Sequence, residues 1–383
     1  MPRTWPVVLA GATPFLDLYA TQPIMPLMMR EFSTTRAMAG LTLSAATLAV
    51  ALAAPFVGRV ADRVGRKRVI VVSAVLLAAM TAGSATARSL WALIGWRFAQ
   101  GIVTPGLFAT TIAYIQEEWP PSHVGRASAA YVSGTVSGGF VGRTLVALVA
   151  DRQGWPAAFW VLAALTACVA SVLARWLPEE RRAPRARAVV KLRGVLQLLR
   201  FRPLMATNAV GFSVLFTLMG TFSYITFHLS APPYALSTAA LGWLFVVYLV
   251  GAAATPVAGQ WVDRHGHRRG MALATSTSIV GAVLTLGGPL WVVFVGLALV
   301  GTGAFIAQAT TSSFIGVVTR EDRGLAVGIY SSVYYIGGSV AGVVPALFWE
   351  AGGWALCVAL VVAVQIASGV IVYRWWHPPT VHA

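Results

Sequence analysis

The sequence has few charged residues, and acidic residues are the scarcest of them. Only 10% of the 383 residues are charged, and only 12 are Asp or Glu. A soluble globular domain carries about 25% charged residues, because its surface must stay hydrated. A disordered chain is excluded as well, since 57% of the residues are hydrophobic. A polytopic membrane protein is the class that remains.

Cysteine is also scarce, and its placement excludes a disulfide framework. The two cysteines, Cys168 and Cys357, both lie in apolar runs and belong to no regularly spaced set. We expect both to pack as small hydrophobic side chains. The sequence therefore predicts no metal site and no cofactor.

Long apolar runs are what the sequence has in place of charge. A helix rises 1.5 Å per residue, so about 20 apolar residues cross about 30 Å of hydrocarbon. Twelve runs meet this length, at 6–28, 38–58, 69–87, 90–115, 124–149, 155–176, 203–229, 237–259, 270–287, 289–317, 324–348 and 353–375. They must be helices, because each run has to satisfy its own backbone polar groups in lipid. The prediction is an all-α polytopic membrane protein with twelve transmembrane helices.

Basic residues outnumber acidic ones, and their positions predict the orientation of the chain. There are 28 Lys and Arg, giving a net charge of +16, a balance that suggests nucleic acid in a soluble protein. With the N-terminus in the cytoplasm, 22 of the 28 fall in cytoplasmic segments, 4 in outer loops and 2 inside spans. The positive-inside rule then places both termini in the cytoplasm. The predicted surroundings are a lipid bilayer, and nucleic acid is not an expected partner.

A repeated loop divides the chain into two halves. GRVADRVGRKR runs from Gly58 to Arg68, and GQWVDRHGHRR runs from Gly259 to Arg269, 201 residues later. We expect one six-helix bundle over 1–176 and another over 203–383, joined by a basic cytoplasmic linker at 177–202. The second half of that linker is either an amphipathic helix on anionic lipid or a solvated connection.

These motifs resemble those of the major facilitator superfamily. GRVADRVGRKR is similar to the family's loop signature Gly-x-x-x-Asp-Arg-x-Gly-Arg-Lys-Arg, and RFAQG at 97–101 to its Arg-x-x-Gln-Gly motif. SGTVSGGFVGR at 133–143 is similar to the glycine-rich signature of the drug:proton antiporter branch, with Gly139 in the usual Pro position and Arg143 replacing the last Gly. The chain is also similar to arabinose-efflux-like members. The resemblance implies two pseudo-symmetric six-helix bundles, a bacterial cytoplasmic (inner) membrane location and a monomer.

The loop signature predicts a cytoplasmic gate. Asp62 can face the N-terminus of a neighbouring helix, where the macrodipole favours an anion. Arg63 and Arg66 can reach acids at the end of span four. The resemblance implies that this network latches the cytoplasmic side, and the alternative is positive charge that only sets the topology. The predicted gate residues are Gly58, Asp62, Arg63, Gly65, Arg66, Glu117, Glu118, Asp263 and Arg264.

Three charges interrupt the apolar spans. Asp17 lies near the middle of span one, and ionisable groups at that depth normally face a cavity and a partner. We predict that Asp17 carries the coupling proton and that Arg97 modulates it. The resemblance places Arg97 and Arg143 beside the same cavity, so Arg143 joins the predicted proton-coupling set. The alternative is a static buried ion pair that only holds helices together.

Two further groups of residues are candidates for a role in transport, and the alternative for both is a packing role alone. Glycines with small-xxx-small spacing in span five permit close helix packing; they are Gly134, Gly138, Gly139 and Gly142. Polar and aromatic residues in spans one, four, seven, ten and eleven are predicted to line the substrate cavity; they are Tyr19, Gln22, Gln100, Asn208, Phe212, Phe216, Tyr224, Gln308, Tyr334 and Tyr335.

The sequence therefore predicts a secondary active transporter of small molecules that works by alternating access. The leading hypothesis is proton-coupled efflux of a lipophilic or neutral polar solute such as a drug or a sugar. No C-terminal span offers a carboxylate for an amine or a cation. The alternative is uptake of a small organic anion by proton symport, with Arg97 and Arg143 holding the anion.

Two other classes are set aside. A membrane-embedded enzyme needs Ser with His, paired acids or His/Glu metal ligands within the spans. His228 stands alone at the outer end of span seven, and no second acid accompanies Asp17. A transport-dead sensor usually carries an added soluble domain, and no segment is long enough for one. We therefore expect a transporter and not an enzyme.

Overall fold

A computed structural model describes residues 4–180, 198, 201–319 and 323–376, without the side chain of Arg323. Most of the predicted linker at 177–202 lies outside the described residues. All regular structure in the described part of the chain is helical. The all-α prediction is therefore confirmed.

Thirteen α-helices follow one another along the described chain. They are α1 (Trp5–Leu18), α2 (Met25–Glu31), α3 (Arg36–Val64), α4 (Arg66–Ala85), α5 (Leu90–Glu118), α6 (Pro121–Gln153), α7 (Trp155–Trp176), α8 (Arg202–Leu229), α9 (Thr238–Trp243), α10 (Val247–His265), α11 (His267–Leu284), α12 (Leu290–Val318) and α13 (Arg323–Trp375). Short 3₁₀ turns at Gln22–Ile24 and Leu244–Val246 precede α2 and α10.

These helices correspond to the twelve predicted spans. Nine helical segments of the described residues are long and apolar enough to cross a membrane, with α9 and α10 counted together. Span one is present as the two shorter helices α1 and α2, and span nine as the 18-residue α11. Spans eleven and twelve are joined in α13, whose backbone leaves helical geometry at Gly352 and Gly353.

Span one is discontinuous, and its prolines explain the break. Pro23 has no N–H to donate to the Tyr19 oxygen, and a proline disfavours α-helical geometry at the residue before it; Gln22–Ile24 accordingly form a 3₁₀ turn. The α-helix accordingly ends at Leu18, and a new one begins at Met25, with Pro26 in its first turn. The apolar run at 6–28 predicts one continuous span, and the structure differs at this break. Discontinuous helices leave main-chain carbonyls that need another donor.

The chain forms two compact units. One comprises Met1–Ala188 with Leu229–Phe245, and the other comprises Val189–His228 with Val246–Ala383. The core of the first unit includes the fully buried Leu77, Leu107 and Tyr114. A smaller buried cluster in the second unit surrounds Leu204 and Tyr330.

The sequence repeat is also a structural repeat. Helices α5 and α12 begin 200 residues apart, at Leu90 and Leu290. Gly65 and Gly266 separate corresponding helices with φ of 103° and 90°, a region that favours glycine. Gly138 packs against the main chain of Ala12, and Gly337 packs in the same way against Phe212. Equivalent positions of the two units are therefore 199 to 201 residues apart in the sequence.

Candidate functional site

The Asp17 carboxylate is fully buried in the first unit and accepts two hydroxyl hydrogen bonds. Thr81 on α4 donates to Oδ1 over 2.5 Å, and Thr166 on α7 donates to Oδ2 over 2.8 Å. The residue has 0% exposure. Burying a carboxylate is unfavourable unless it is hydrogen-bonded and compensated, so this is a costly position that the surrounding helices stabilise.

Arg97 holds the broken end of span one. Its guanidinium donates to the main-chain oxygen of Asp17 over 2.8 Å and to that of Leu18, the last two residues of α1. Its Nε donates to the main-chain oxygen of Thr42 over 3.2 Å. A cation at a helix C-terminus complements both the macrodipole and the carbonyls left without helical donors. Arg97 thus adds hydrogen bonds at the end of α1, where the Asp17 oxygen also accepts from the Ala20 N–H over 3.1 Å.

Gln100 joins Arg97 to the Asp17 carboxylate. Its amide nitrogen donates to Thr81 Oγ1 over 2.8 Å, and its oxygen accepts from Arg97 Nη1 over 2.5 Å. A continuous hydrogen-bonded path therefore runs from the carboxylate through Thr81 and Gln100 to the end of α1. Gln100 was predicted to line the substrate cavity, and the structure places it within this network.

Asp17 and Arg97 form no direct ion pair. No basic nitrogen of the described residues lies within 4.0 Å of the Asp17 carboxylate oxygens. Arg97 lies close enough to act on it electrostatically. The geometry therefore differs from the static salt bridge considered as the alternative role for these charges.

Arg143 belongs to a second cluster, on α6. Its Nε donates to Gln22 Oε1 over 2.7 Å, and its Nη1 donates to the Gly139 oxygen over 2.6 Å. The guanidinium carbon lies 4.7 Å from the ring centroid of Tyr19 and 4.8 Å from that of Phe245. The cation is therefore held between two aromatic faces, a favourable arrangement. Of the three intramembrane charges, the structure joins Asp17 and Arg97 in one network and places Arg143 in another.

The first copy of the loop signature forms an ion-pair cluster around Arg66. Its Nε and Nη2 donate to the two oxygens of Glu117, each over 2.6 Å, and Nη2 also reaches Asp62 over 3.1 Å. A bidentate arginine–carboxylate pair is among the stronger polar contacts in proteins. Arg63 is exposed and makes no ion pair with the described residues.

Two acids after α7 also accept hydrogen bonds from this loop, and they are not among the predicted gate residues. Glu180 accepts from the main-chain nitrogen of Lys67 over 2.6 Å, at the N-terminus of α4. Glu179 accepts from Lys67 Nζ over the same distance. The sequence does not indicate this role, because acids within a basic segment usually only reduce the net charge of that segment. The structure ties the start of the linker to the signature loop.

Within the described residues, the second copy of the loop forms no ion pair corresponding to that of Arg66. His267 occupies the position of Arg66, and Val317 occupies that of Glu117. A ring nitrogen of His267 lies 3.1 Å from Ser313 Oγ instead. Asp263 lines a small pocket with Thr310 and Ser313, and Arg264 is exposed. No cluster of three or more potential metal ligands occurs among the described residues.

The glycines of α6 provide close approach to α1. Gly134, Gly138 and Gly142 lie against the main-chain oxygens of Val8, Ala12 and Leu16, where a β-carbon would have no room. Gly139 faces the side chain of Arg143 instead. Three glycines four residues apart therefore form a seam that brings the two backbones together.

The predicted cavity residues of the second unit are partly engaged with one another. The rings of Phe212 and Phe216 stack with centroids 6.0 Å apart, and Tyr334 packs against Tyr335 at 5.4 Å. The Asn208 oxygen is buried without a hydrogen-bond partner among the described residues. Two other members of the set bond within the unit: Tyr224 donates to the Gly342 oxygen, and Gln308 accepts from Tyr330.

The polar network has an uncharged counterpart in the second unit. Asp17 corresponds to Thr217, and Thr166 corresponds to Gln365, which donates to Thr217 over 2.8 Å. The other members, Thr81, Arg97 and Gln100, correspond to Ala282, Leu297 and Val300. Of these two corresponding positions, only the one in the first unit has an ionisable side chain.

Comparison with known proteins identifies the family. The sequence profile of the Major Facilitator Superfamily matches residues 7–238 and 228–383. An MFS-type transporter of Bacillus subtilis, YybF, is 31% identical over 347 residues, covering 90% of this chain and 86% of its own. The inner membrane transport protein YnfM of Escherichia coli is 31% identical over 374 residues, covering 96% of this chain and 89% of its own.

Solved structures show the same fold. A bacterial homologue of the human lysosomal transporter Spinster superposes with a TM-score of 0.76 at 15% identity, covering 98% of this chain and 96% of its own. The nucleoside transporter NupG gives 0.77 at 14% identity, covering 98% and 99%. The human organic anion transporter MFSD10 gives 0.72 at 20% identity, covering 97% and 100%. The family and its fold are those of transporters and not of enzymes. This chain belongs to the Major Facilitator Superfamily and is a multi-pass secondary transporter of small molecules.

Proposed function

We propose that the protein exports a lipophilic or neutral polar solute in exchange for protons, and that Asp17 carries the proton. The observation that supports this most is the carboxylate itself, fully buried and hydrogen-bonded by two hydroxyls without a direct ion pair. A carboxylate locked to a guanidinium resists protonation, because the pair would lose its attraction. Hydroxyl partners form no ion pair with Asp17 that protonation would break.

The two threonines suit either protonation state of Asp17. A hydroxyl has one proton to donate and two lone pairs that accept. The Thr81 hydroxyl lies 2.5 Å from Asp17 Oδ1 and 2.8 Å from the main-chain oxygen of Leu77. When Asp17 binds a proton, its O–H donates to Thr81, and the Thr81 proton turns to Leu77. Every group keeps a partner in both states.

The network then transmits protonation to the end of α1. Thr81 accepts from Gln100, and Gln100 accepts from Arg97, which holds the oxygens of Asp17 and Leu18. Reorientation of the Thr81 hydroxyl changes the first hydrogen bond of this series, the one between Asp17 and Thr81. Discontinuous helices are common sites of ion and substrate coupling in transporters. We infer that protonation of Asp17 alters the geometry of the break in span one.

The same contacts weigh against uptake of an organic anion as the main function. That alternative has Arg97 and Arg143 hold the anion, yet four of the five N–H groups of Arg97 already donate to oxygens of the protein. The Arg97 donors would have to leave the end of α1. The solved relatives include a nucleoside transporter and an organic anion transporter, and at their low identity they support only the fold.

A proteoliposome assay tests the proposal. The purified protein is reconstituted with a pH indicator in the lumen, and drugs, sugars and organic acids are added in turn. We expect at least one lipophilic or neutral solute to change the lumen pH, with movement of solute and proton in opposite directions. Co-movement of an organic acid and a proton would establish the symport alternative. Transport without any pH change would overturn proton coupling.

A further inference from the structure

The second unit contains a wide basic and aromatic pocket beside the second copy of the loop signature. It has a volume of about 760 Å³ and lies where the start of α11 meets the ends of α12 and α13. Its polar and aromatic lining residues are His265, His267, Arg268, Arg269, Phe314, Tyr373 and Trp376. No acid is among its described lining residues, and the neighbouring Asp263 lines a different, smaller pocket.

The wall of this pocket is held by its own contacts. Arg268 donates to the Tyr373 oxygen over 2.6 Å, and its guanidinium carbon lies 4.8 Å from the Tyr373 ring centroid. The Phe314 ring stacks on Trp376 with centroids 4.2 Å apart. His267 is fixed through Ser313. The pocket is therefore a built feature of the unit and not a gap between loose side chains.

Two donors at this pocket lack an acceptor. The Trp376 side chain is 1% exposed, and its Nε1–H has no hydrogen-bond partner within the described part of the chain. Buried N–H groups are rarely left unpaired, because the group loses its hydrogen bonds to water. Arg269 is exposed and forms no ion pair with the described residues. An anionic acceptor would satisfy both.

The surroundings indicate a membrane interface. Tyr373 is 76% exposed, and Arg374 lies over the Trp375 ring at 5.5 Å. Tyr and Trp concentrate at the level of the lipid headgroups, and basic residues concentrate on the cytoplasmic side. The expected orientation of the chain places this loop on that side. Ala272 and Val317 complete the lining with apolar surface beside the cations.

We propose that this pocket binds the phosphodiester headgroup of an anionic phospholipid. Basic pockets between transmembrane helices on the cytoplasmic side suit such headgroups. Arg268 and Arg269 supply the positive charge, and Trp376 Nε1 donates to a phosphate oxygen. The apolar lining then contacts the start of the acyl chains. The second loop copy, for which the described residues show no ion pair like that of Arg66 and Glu117, thereby has a separate role in lipid binding.

Native mass spectrometry of the full chain tests this site. Bound lipid is counted during titration with phosphatidylglycerol, and with phosphatidylcholine as the zwitterionic comparison. Arg269→Gln and Trp376→Phe should each weaken phosphatidylglycerol binding about tenfold, as expected for a lost hydrogen bond to a charged group. Arg68→Gln is the matched control, because Arg68 holds the equivalent exposed position in the first loop copy. It should change binding less than about twofold.

Each other outcome contradicts the proposal. Equal losses in Arg269→Gln and Arg68→Gln would indicate a general attraction of charge, and unchanged binding in Arg269→Gln would exclude the site. Displacement of the lipid by soluble glycerol phosphate at the same concentration would assign the pocket to a free phosphate ester. Thermal unfolding of each variant checks its fold. If Trp376→Phe does not fold, the comparison of the two arginine variants decides.

Discussion

Arg97 contacts Asp17 through the main-chain oxygen of Asp17 and not through its carboxylate. The guanidinium donates to that oxygen over 2.8 Å, while the carboxylate accepts from two threonines. The cation can therefore hold the end of α1 whether Asp17 is charged or neutral. The carboxylate in turn can gain a proton without breaking an ion pair.

Arg97→Lys should destabilise the protein although it keeps the positive charge. A lysine cannot reproduce the hydrogen bonds that the planar guanidinium makes at the end of α1, and losing hydrogen bonds from a charged group costs about 1.5–3 kcal/mol. Thermal unfolding of purified protein measures the effect. Arg152→Lys, at an exposed position near the end of α6, is the control and should unfold like the wild type. Equal stability of the two variants would contradict the proposed role of Arg97.

Thr81→Val should reduce proton-driven transport about tenfold, because a hydrogen bond to a charged group contributes about 1.5–3 kcal/mol. Valine keeps the shape of threonine and removes the hydroxyl that donates to Asp17. Thr217→Val makes the same change at the equivalent of Asp17 in the second unit, where no carboxylate is present. It should lower stability without changing the number of protons moved per solute. Loss of proton coupling in both variants would contradict this assignment.

Gly101→Ala should destabilise the protein, whereas the equivalent Gly301→Ala should not. A β-carbon at Gly101 would clash with the Ala46 oxygen and lie 2.7 Å from the Ala49 β-carbon. At Gly301 the nearest atom would be 3.7 Å away, which is an ordinary contact. Overpacking costs about 1–3 kcal/mol, and replacing a helical glycine without a clash gains up to about 1 kcal/mol. The midpoint temperature of thermal unfolding should therefore fall for the first variant only.

Arg66→Gln should loosen the loop between α3 and α4, whereas Arg63→Gln should not. Removing the Arg66 guanidinium leaves Glu117 and Asp62 without their ion pair, while Arg63 has no such partner among the described residues. Loss of a partly buried pair costs about 1–3 kcal/mol. Hydrogen exchange over 62–70 reports the change. Similar exchange in both variants would show that this charge serves topology alone.

Part of the site could be predicted because some of its residues stand out from their neighbours in the sequence. Asp17 is an acid within an apolar run, and Arg97 and Arg66 belong to specific motifs. Thr81 and Thr166 gave no such signal, because threonines in helices commonly bond their own preceding carbonyls. Their role depends on which helix faces point at α1. That is a property of tertiary packing, and no spacing along a single helix encodes it.

The surroundings of Arg143 also depend on tertiary packing, and the sequence did not predict them. The family resemblance predicts that Arg143 and Arg97 lie beside the same cavity. In the structure Arg143 projects from α6 toward Tyr19, Gln22 and Phe245, and Phe245 is 102 positions away along the chain. The break after Leu18 presents Tyr19 and Gln22 to it. A continuous first helix, as the apolar run suggested, would have placed these side chains differently.

The most direct test of the account compares driven and undriven transport in Asp17→Asn. Asparagine keeps the size of the side chain and resembles the protonated acid, with one acceptor oxygen and a donor in place of the other, but it cannot exchange a proton. Reconstituted Asp17→Asn should still exchange labelled solute for unlabelled solute across the membrane at equal pH. It should no longer accumulate solute when a pH gradient is imposed. Retention of gradient-driven accumulation by this variant would show that the coupling proton is carried elsewhere.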